Sequence, residues 1–166
     1  MSAENLRAFL DPDRFVVGTV GEPGSRAFYL QVRESSQMLS ISIEKEQLVA
    51  LSERVSLMLR ELRISSSQPP FLDENVDSQP LETPIDDDFR AVAISLSYDE
   101  NLEKIEIEIE SENDDAVVIF LTLSQAKGFT ARSKLVLDSG RPVCPFCSAP
   151  INPQGHLCPR ANGYRR

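Results

Sequence analysis

The chain has 166 residues, of which 41% are hydrophobic and 26% charged, with a formal net charge of −9. That length suits one domain, or one domain with a small appendage. No apolar run approaches the ~20 residues needed to cross a bilayer, and the start, MSAENLRAFLDPDRF, lacks the basic and apolar regions of a signal peptide, so the expectation is a cytoplasmic protein with no membrane role. Charge is unevenly spread. The stretch from Arg141 to Arg166 holds four arginines and no acidic residue, which leaves −13 on everything before it. An acidic body repels phosphate backbones, which disfavours nucleic-acid binding by the main domain.

In chain order, RFVVGTV (Arg14 to Val20) and RAFYLQVR (Arg26 to Arg33) read as strands around the turn-rich spacer GEPGS. MLSISI (Met38 to Ile43) alternates apolar and polar residues as a half-buried strand does. Leu48, Leu51, Val55, Met58 and Leu62 then recur every three or four residues, the stripe of an amphipathic helix that should stop near ISSSQPP. Residues 65–88 read as an acidic linker. FLDENVDSQPLETPIDDD has seven acidic residues, no basic residue and two prolines, a composition expected to leave a solvated, mobile loop. Asp86, Asp87 and Asp88 could be taken for a cation site, but no glycine is nearby to turn them onto one ion.

The second half repeats the pattern. FRAVAISLSY (Phe89 to Tyr98), EKIEIEIE (Glu103 to Glu110) and AVVIFLTL (Ala116 to Leu123) are strand candidates, followed by a helix over about Ser124 to Leu137. An offset of 80 residues brings Ser42 onto Thr122, Val49 onto Phe129 and Val55 onto Leu135. Ser42 and Thr122 are then the expected helix N-caps, and Thr122 with Gln125 has capping-box spacing. The fold class is α+β: two β-β-β-α units joined by the acidic linker, forming a mainly antiparallel sheet with two packed helices. This gives a domain over residues 1–140 with an internal repeat, and a small zinc-binding segment over residues 141–166.

That last segment carries every cysteine in the chain, Cys144, Cys147 and Cys158, and its one histidine, His156. The spacing is C-x2-C-x8-H-x-C. Three thiolates and an imidazole fill the tetrahedral shell of a structural zinc ion and leave no position for water. Pro150, Pro153 and Gly155 let the loop turn back. The tight step is His156 to Cys158, only two residues apart, which needs the backbone to bend or the side chains to curl inward. The alternative, a redox C-x-x-C with a stray cysteine, lacks a thioredoxin-like βαβ setting. In so short a segment the metal is what folds it. Beyond it, Arg160, Asn162, Tyr164, Arg165 and Arg166 form a basic tail that suits an anionic partner or a strap onto the acidic body.

FVVGTVGEPGSRAFYLQ, LTLSQAKGF and above all CPFCSAPINPQGHLCPRANGYRR resemble a family of conserved actinobacterial proteins of unknown function. The likeness spans nearly the whole chain and all four ligand positions. It implies one domain in a bacterial cytosol and brings no mechanism. Members commonly have proline where this chain has Leu123.

The resulting expectation is a non-enzymatic, zinc-finger-like binding or scaffold protein with a protein partner. Two alternatives stand beside it. One is a divalent-cation-dependent hydrolase or phosphotransferase using carboxylates, since the body has no histidine or cysteine for the work; the lack of a phosphate-cradling glycine loop counts against it. The other is nucleic-acid binding through the basic tail alone.

Overall fold

The computed structural model describes residues 6–65, 76–86, 89–140, 143–151 and 155–161. Its strands are β1 (Leu6–Phe9), β2 (Arg14–Val20), β3 (Ala27–Glu34), β4 (Gln37–Ile43), β5 (Phe89–Asp99), β6 (Lys104–Ser111) and β7 (Ala116–Leu121), with helices α1 (Lys45–Ser65) and α2 (Leu123–Asp138). Alternation decides the faces. In β6 (KIEIEIES), Ile105, Ile107 and Ile109 are fully buried, while Glu106 and Glu108 between them are only partly covered. In β3, Phe28, Leu30 and Val32 point inward in the same way. Leu48, Leu51 and Val55 of α1 and Ala126 and Phe129 of α2 complete one core, with the rings of Phe15 and Phe129 4.8 Å apart. No helix among the described residues is long and apolar enough to cross a membrane.

The fold is α+β, but the sheet is mixed. Its seven strands run β1-β7-β6-β5-β4-β3-β2. Hairpins make the antiparallel pairs, whereas β4 pairs β5 and β1 pairs β7 in parallel. A parallel neighbour needs a crossover, and α1 with the linker supplies it between β4 and β5. The sequence reading did not include β1. Four residues, three of them exposed, show no period.

Two β-β-β-α passes are present, in a different register from the one expected. Ser42 does not cap α1; it lies inside β4 opposite Tyr29. The residue before α1 is Glu44, whose N–H donates to Gln47 Oε1 at 2.9 Å, just as Thr122 N–H donates to Gln125 Oε1 at 3.0 Å before α2. Glu44 thus matches Thr122, an offset of 78 residues. Leu48, Leu51 and Val55 then fall on Ala126, Phe129 and Ser133, all buried. The offset of 80 set buried Val55 on Leu135, which is 62% exposed. The passes also share an odd join. β5 pairs β4 through its first residues and β6 through the rest, across a bulge at Ala91/Ala93. β1 and β2 divide the same two tasks between them, against β7 and β3.

The expectation of a solvated, mobile linker is met only in part over residues 76–86: about half of them are exposed, but the segment is tied across the outer face of β2 and β3. Asp77 accepts from Arg14 Nε at 2.6 Å, and Glu82 pairs with Arg33 at 2.8 Å. Gln31 bonds both backbone groups of Glu82, at 2.7 and 2.9 Å. A Cβ at Gly18 would sit 2.5 Å from Leu81 Cγ, so the bare backbone there admits the strap. Composition alone counted the acidic charges; the arginines of β2 and β3 and Arg132 of α2 that match them are remote in sequence. Ser65, placed in the linker by the sequence, is the last residue of α1, and residues 66–75 with Asp87 and Asp88 lie outside the described residues; Asp86 is exposed.

Candidate metal centre

α2 delivers the chain to the cysteine segment from a fixed point. Arg26, at the start of the second strand of the β2–β3 hairpin, donates to Val136 O at 3.0 Å and to Ser139 Oγ at 2.9 Å, a cation on the carbonyl end of the helix. The same guanidinium lies 5.0 Å from the ring centre of Phe28.

CPFC then forms a small closed turn. Cys144 N–H donates to Ala149 O and Ser148 N–H to Cys144 O, both at 2.9 Å, and Val143 bridges Pro150. Ser148 takes φ 62°, the left-handed bend that brings the chain back. On the far limb Gly155 has φ 87°, a conformation that suits glycine. His156 and Cys158 follow in an extended stretch. In such a chain residues i and i+2 share a face, so the imidazole and the thiol point inward while Leu157 between them is 68% exposed. The two-residue spacing therefore needs neither a sharp bend nor curled side chains. A 3-10 turn, Pro159–Ala161, closes the segment, and Arg160 Nη1 donates to Phe146 O at 3.4 Å across the two limbs.

The four ligand atoms lie within 4.8 Å of one another and could hold a metal ion. Cys144 Sγ is 3.8 Å from Cys158 Sγ, and Cys147 Sγ is 3.4 Å from His156 Nε2. All three thiols are free, since a disulfide needs sulfurs ~2.05 Å apart. Cys144 and Cys158 are buried; Cys147 and His156 are half-buried. His156 Nε2 is the nitrogen in contact with Cys147 Sγ, and Nδ1 is buried with no hydrogen-bond partner among the described residues. Burial opposes ionisation of Cys144, but the backbone N–H groups of Cys147 and Phe146 and the neighbouring thiols outweigh it and hold the pKa below the ordinary thiol value. Cys147 accepts from Ala149 N–H, yet burial and the adjacent thiols push its pKa up.

Of the predicted tail, Arg160 is exposed, and Asn162, Tyr164, Arg165 and Arg166 lie outside the described residues. Among the described residues no other group of three or more His, Cys, Asp or Glu side chains is placed to hold an ion. A second polar site escaped the sequence reading: Arg132, 8% exposed, in the middle of α2. Its Nε donates to Val17 O at 2.6 Å, and its Nη1 to Asp77 O and Gln79 O, both at 2.7 Å. The signal was available, because Arg132 falls on the stripe made by Phe129 and Ser133.

The family model described as "Protein of unknown function (DUF3090)" matches residues 7–158, which takes in the sheet, both helices and all four ligand positions. No curated protein and no solved structure matches the chain.

Proposed function

We propose that this chain, which belongs to the DUF3090 family, is a non-enzymatic binding protein whose C-terminal segment is folded by a structural zinc ion into a surface for another protein. The observation that carries the reading is the separation of the ligand atoms. Bonds of about 2.3 Å to sulfur and 2.0 Å to nitrogen at tetrahedral angles put two sulfurs ~3.8 Å apart and a sulfur and a nitrogen ~3.5 Å apart. Two of the six separations here, Cys144 Sγ to Cys158 Sγ and Cys147 Sγ to His156 Nε2, are 3.8 Å and 3.4 Å, and all four atoms lie within 4.8 Å of one another. Four protein ligands leave no open coordination position, so the ion holds shape and activates no water. Free thiols fit a reducing cytoplasm.

With its ligands turned inward, the segment turns Val143, Phe146 and Leu157 outward, at 64%, 45% and 68% exposure. Three large apolar side chains beside Arg160 on so small a unit suit an apolar anchor ringed by carboxylates on a protein partner. In the sequence Arg160 is followed by Asn162, Tyr164, Arg165 and Arg166, which add two more cations and an aromatic ring.

Elemental analysis of the purified protein should give one zinc per chain; absence of metal, or full zinc retention in Cys147→Ser, overturns the centre. Affinity capture from native cytoplasm should lose its partner with Phe146→Ser or Leu157→Ser while zinc content is kept. An unchanged set of captured proteins overturns the recognition surface.

A further inference from the structure

A cleft of about 470 Å³ opens between β2, the first turns of α2 and the linker strap, lined by Arg14, Arg132, Asp77, Phe15 and Phe129 among others. We infer that this cleft is a binding site for a small organic carboxylate, and that Asp77 occupies it as a tethered stand-in. It is independent of the zinc segment.

Two guanidinium groups converge here, with side chains only 13% and 10% exposed. Buried cations of this kind are kept where an anion is to be held. Arg14 grips the Asp77 carboxylate with its planar fork, Nε to one oxygen at 2.6 Å and Nη2 to the other at 3.1 Å, while Arg132 Nη1 approaches at 3.3 Å. The pair is therefore already a carboxylate receptor in geometry. Donor capacity remains, since a guanidinium carries five N–H groups. Arg132 Nη2 makes no hydrogen bond among the described residues, and Arg14 Nη1 has only the 3.9 Å approach of Glu82.

The captive carboxylate is reachable from solvent. It is 35% exposed and comes from a strap, not from a strand or helix. An external carboxylate entering the cleft meets the same fork. Its carbon body would lie along Phe15, Val16, Gly128 and Phe129, of which the two phenylalanines show only 5% and 2% of their surface, and the cleft's volume is in the range of sites for metabolite-sized ligands. A carboxylate held on its own chain competes at an effective concentration in the millimolar range. Removing it should reveal the site, and filling the site should loosen the strap.

The experiment is a titration of the full-length chain with sodium benzoate, followed through the Nε–H resonances of Arg14 and Arg132, with acetate and inorganic phosphate as parallel arms. The Asp77→Asn variant should bind benzoate saturably, at a concentration at least about tenfold lower than wild type needs. Acetate should bind more weakly, for want of a body to pack. Arg14→Gln in the same background should abolish the response. In wild type, excess benzoate should accelerate amide exchange at residues 77–82, a readout that stands even if Asp77→Asn proves poorly folded. No saturable shift in a folded Asp77→Asn protein, or no change in strap exchange at high benzoate, overturns the proposal. Phosphate binding more tightly than benzoate overturns the assignment to a carboxylate.

Discussion

Asp77 faces two guanidinium groups at once, and its ionisation should govern how firmly the strap is held. The hydrogen bond from Arg14 is the largest influence. With the Gln79 N–H and the charges of Arg14 and Arg132 it outweighs burial and lowers the pKa below the ordinary 3.8. A carboxyl whose folded pKa is depressed stabilises the fold fully above its unfolded value, and that contribution is lost as pH falls through the folded pKa. Urea denaturation of wild type and Asp77→Asn should therefore show a gap at pH 7 that closes well below pH 3.8; a gap independent of pH would mean that the ion pairs add nothing. The same residue marks where reading a sequence stops. The cluster of Cys144, Cys147, His156 and Cys158 was legible because thiols and imidazoles are rare in this chain and are gathered in one window. Asp77 was one acid among seven, and nothing local distinguishes the one that meets Arg14, 63 positions away.

Elements were legible where period and capping agreed, and misplaced where they did not. Helix α2 begins where a capping box predicts. Thr122 Oγ1 accepts from Gln125 N–H at 3.1 Å, and the Gln125 side chain returns the bond. Thr122→Ala should cost about 1 kcal/mol in chemical denaturation. Gln125→Ala should cost more, because Gln125 Nε2 also holds Pro12 O at 2.7 Å and so ties the helix to the β1–β2 connection. Equal losses for the two variants would discount that tie. At α1 Ser42, three residues before the helix, was a plausible cap, but β4 needed it for its ladder, and Glu44 stands before the helix with its N–H on Gln47 Oε1. The strap has an element-level signature too. A side chain at position 18 must displace Leu81. Gly18→Ala should destabilise, and adding Leu81→Ala should recover part of the loss, with a coupling of about 0.5–3 kcal/mol in a double-mutant cycle. Additive effects would show that the strap yields freely.

At the scale of the molecule, apolar patterning gave the faces of the strands but not their neighbours. The junction of the two passes rests on two residue pairs, Ile41 with Phe89 and Ser42 with Arg90. Such pairing is chosen by the packing of the assembled core, which no local window contains. That core gathers residues from Phe9 to Leu137, and neither Cys144 nor Cys158 belongs to it although both are buried. The cysteine segment thus has an interior of its own, made of three thiols and an imidazole where a domain would have apolar side chains, and on the reading proposed above an ion is what folds a unit with so little apolar surface. Chelation of the ion, or Cys147→Ser, should shift the amide resonances of residues 143–161 to unstructured positions while those of β2 to α2 hold. The melting of the sheet should move by no more than a few degrees, since Arg26 fixes the end of α2 from the body side. If removing the metal instead unfolds the sheet, the segment belongs to the main core, and its separation into a metal-made recognition surface fails with it.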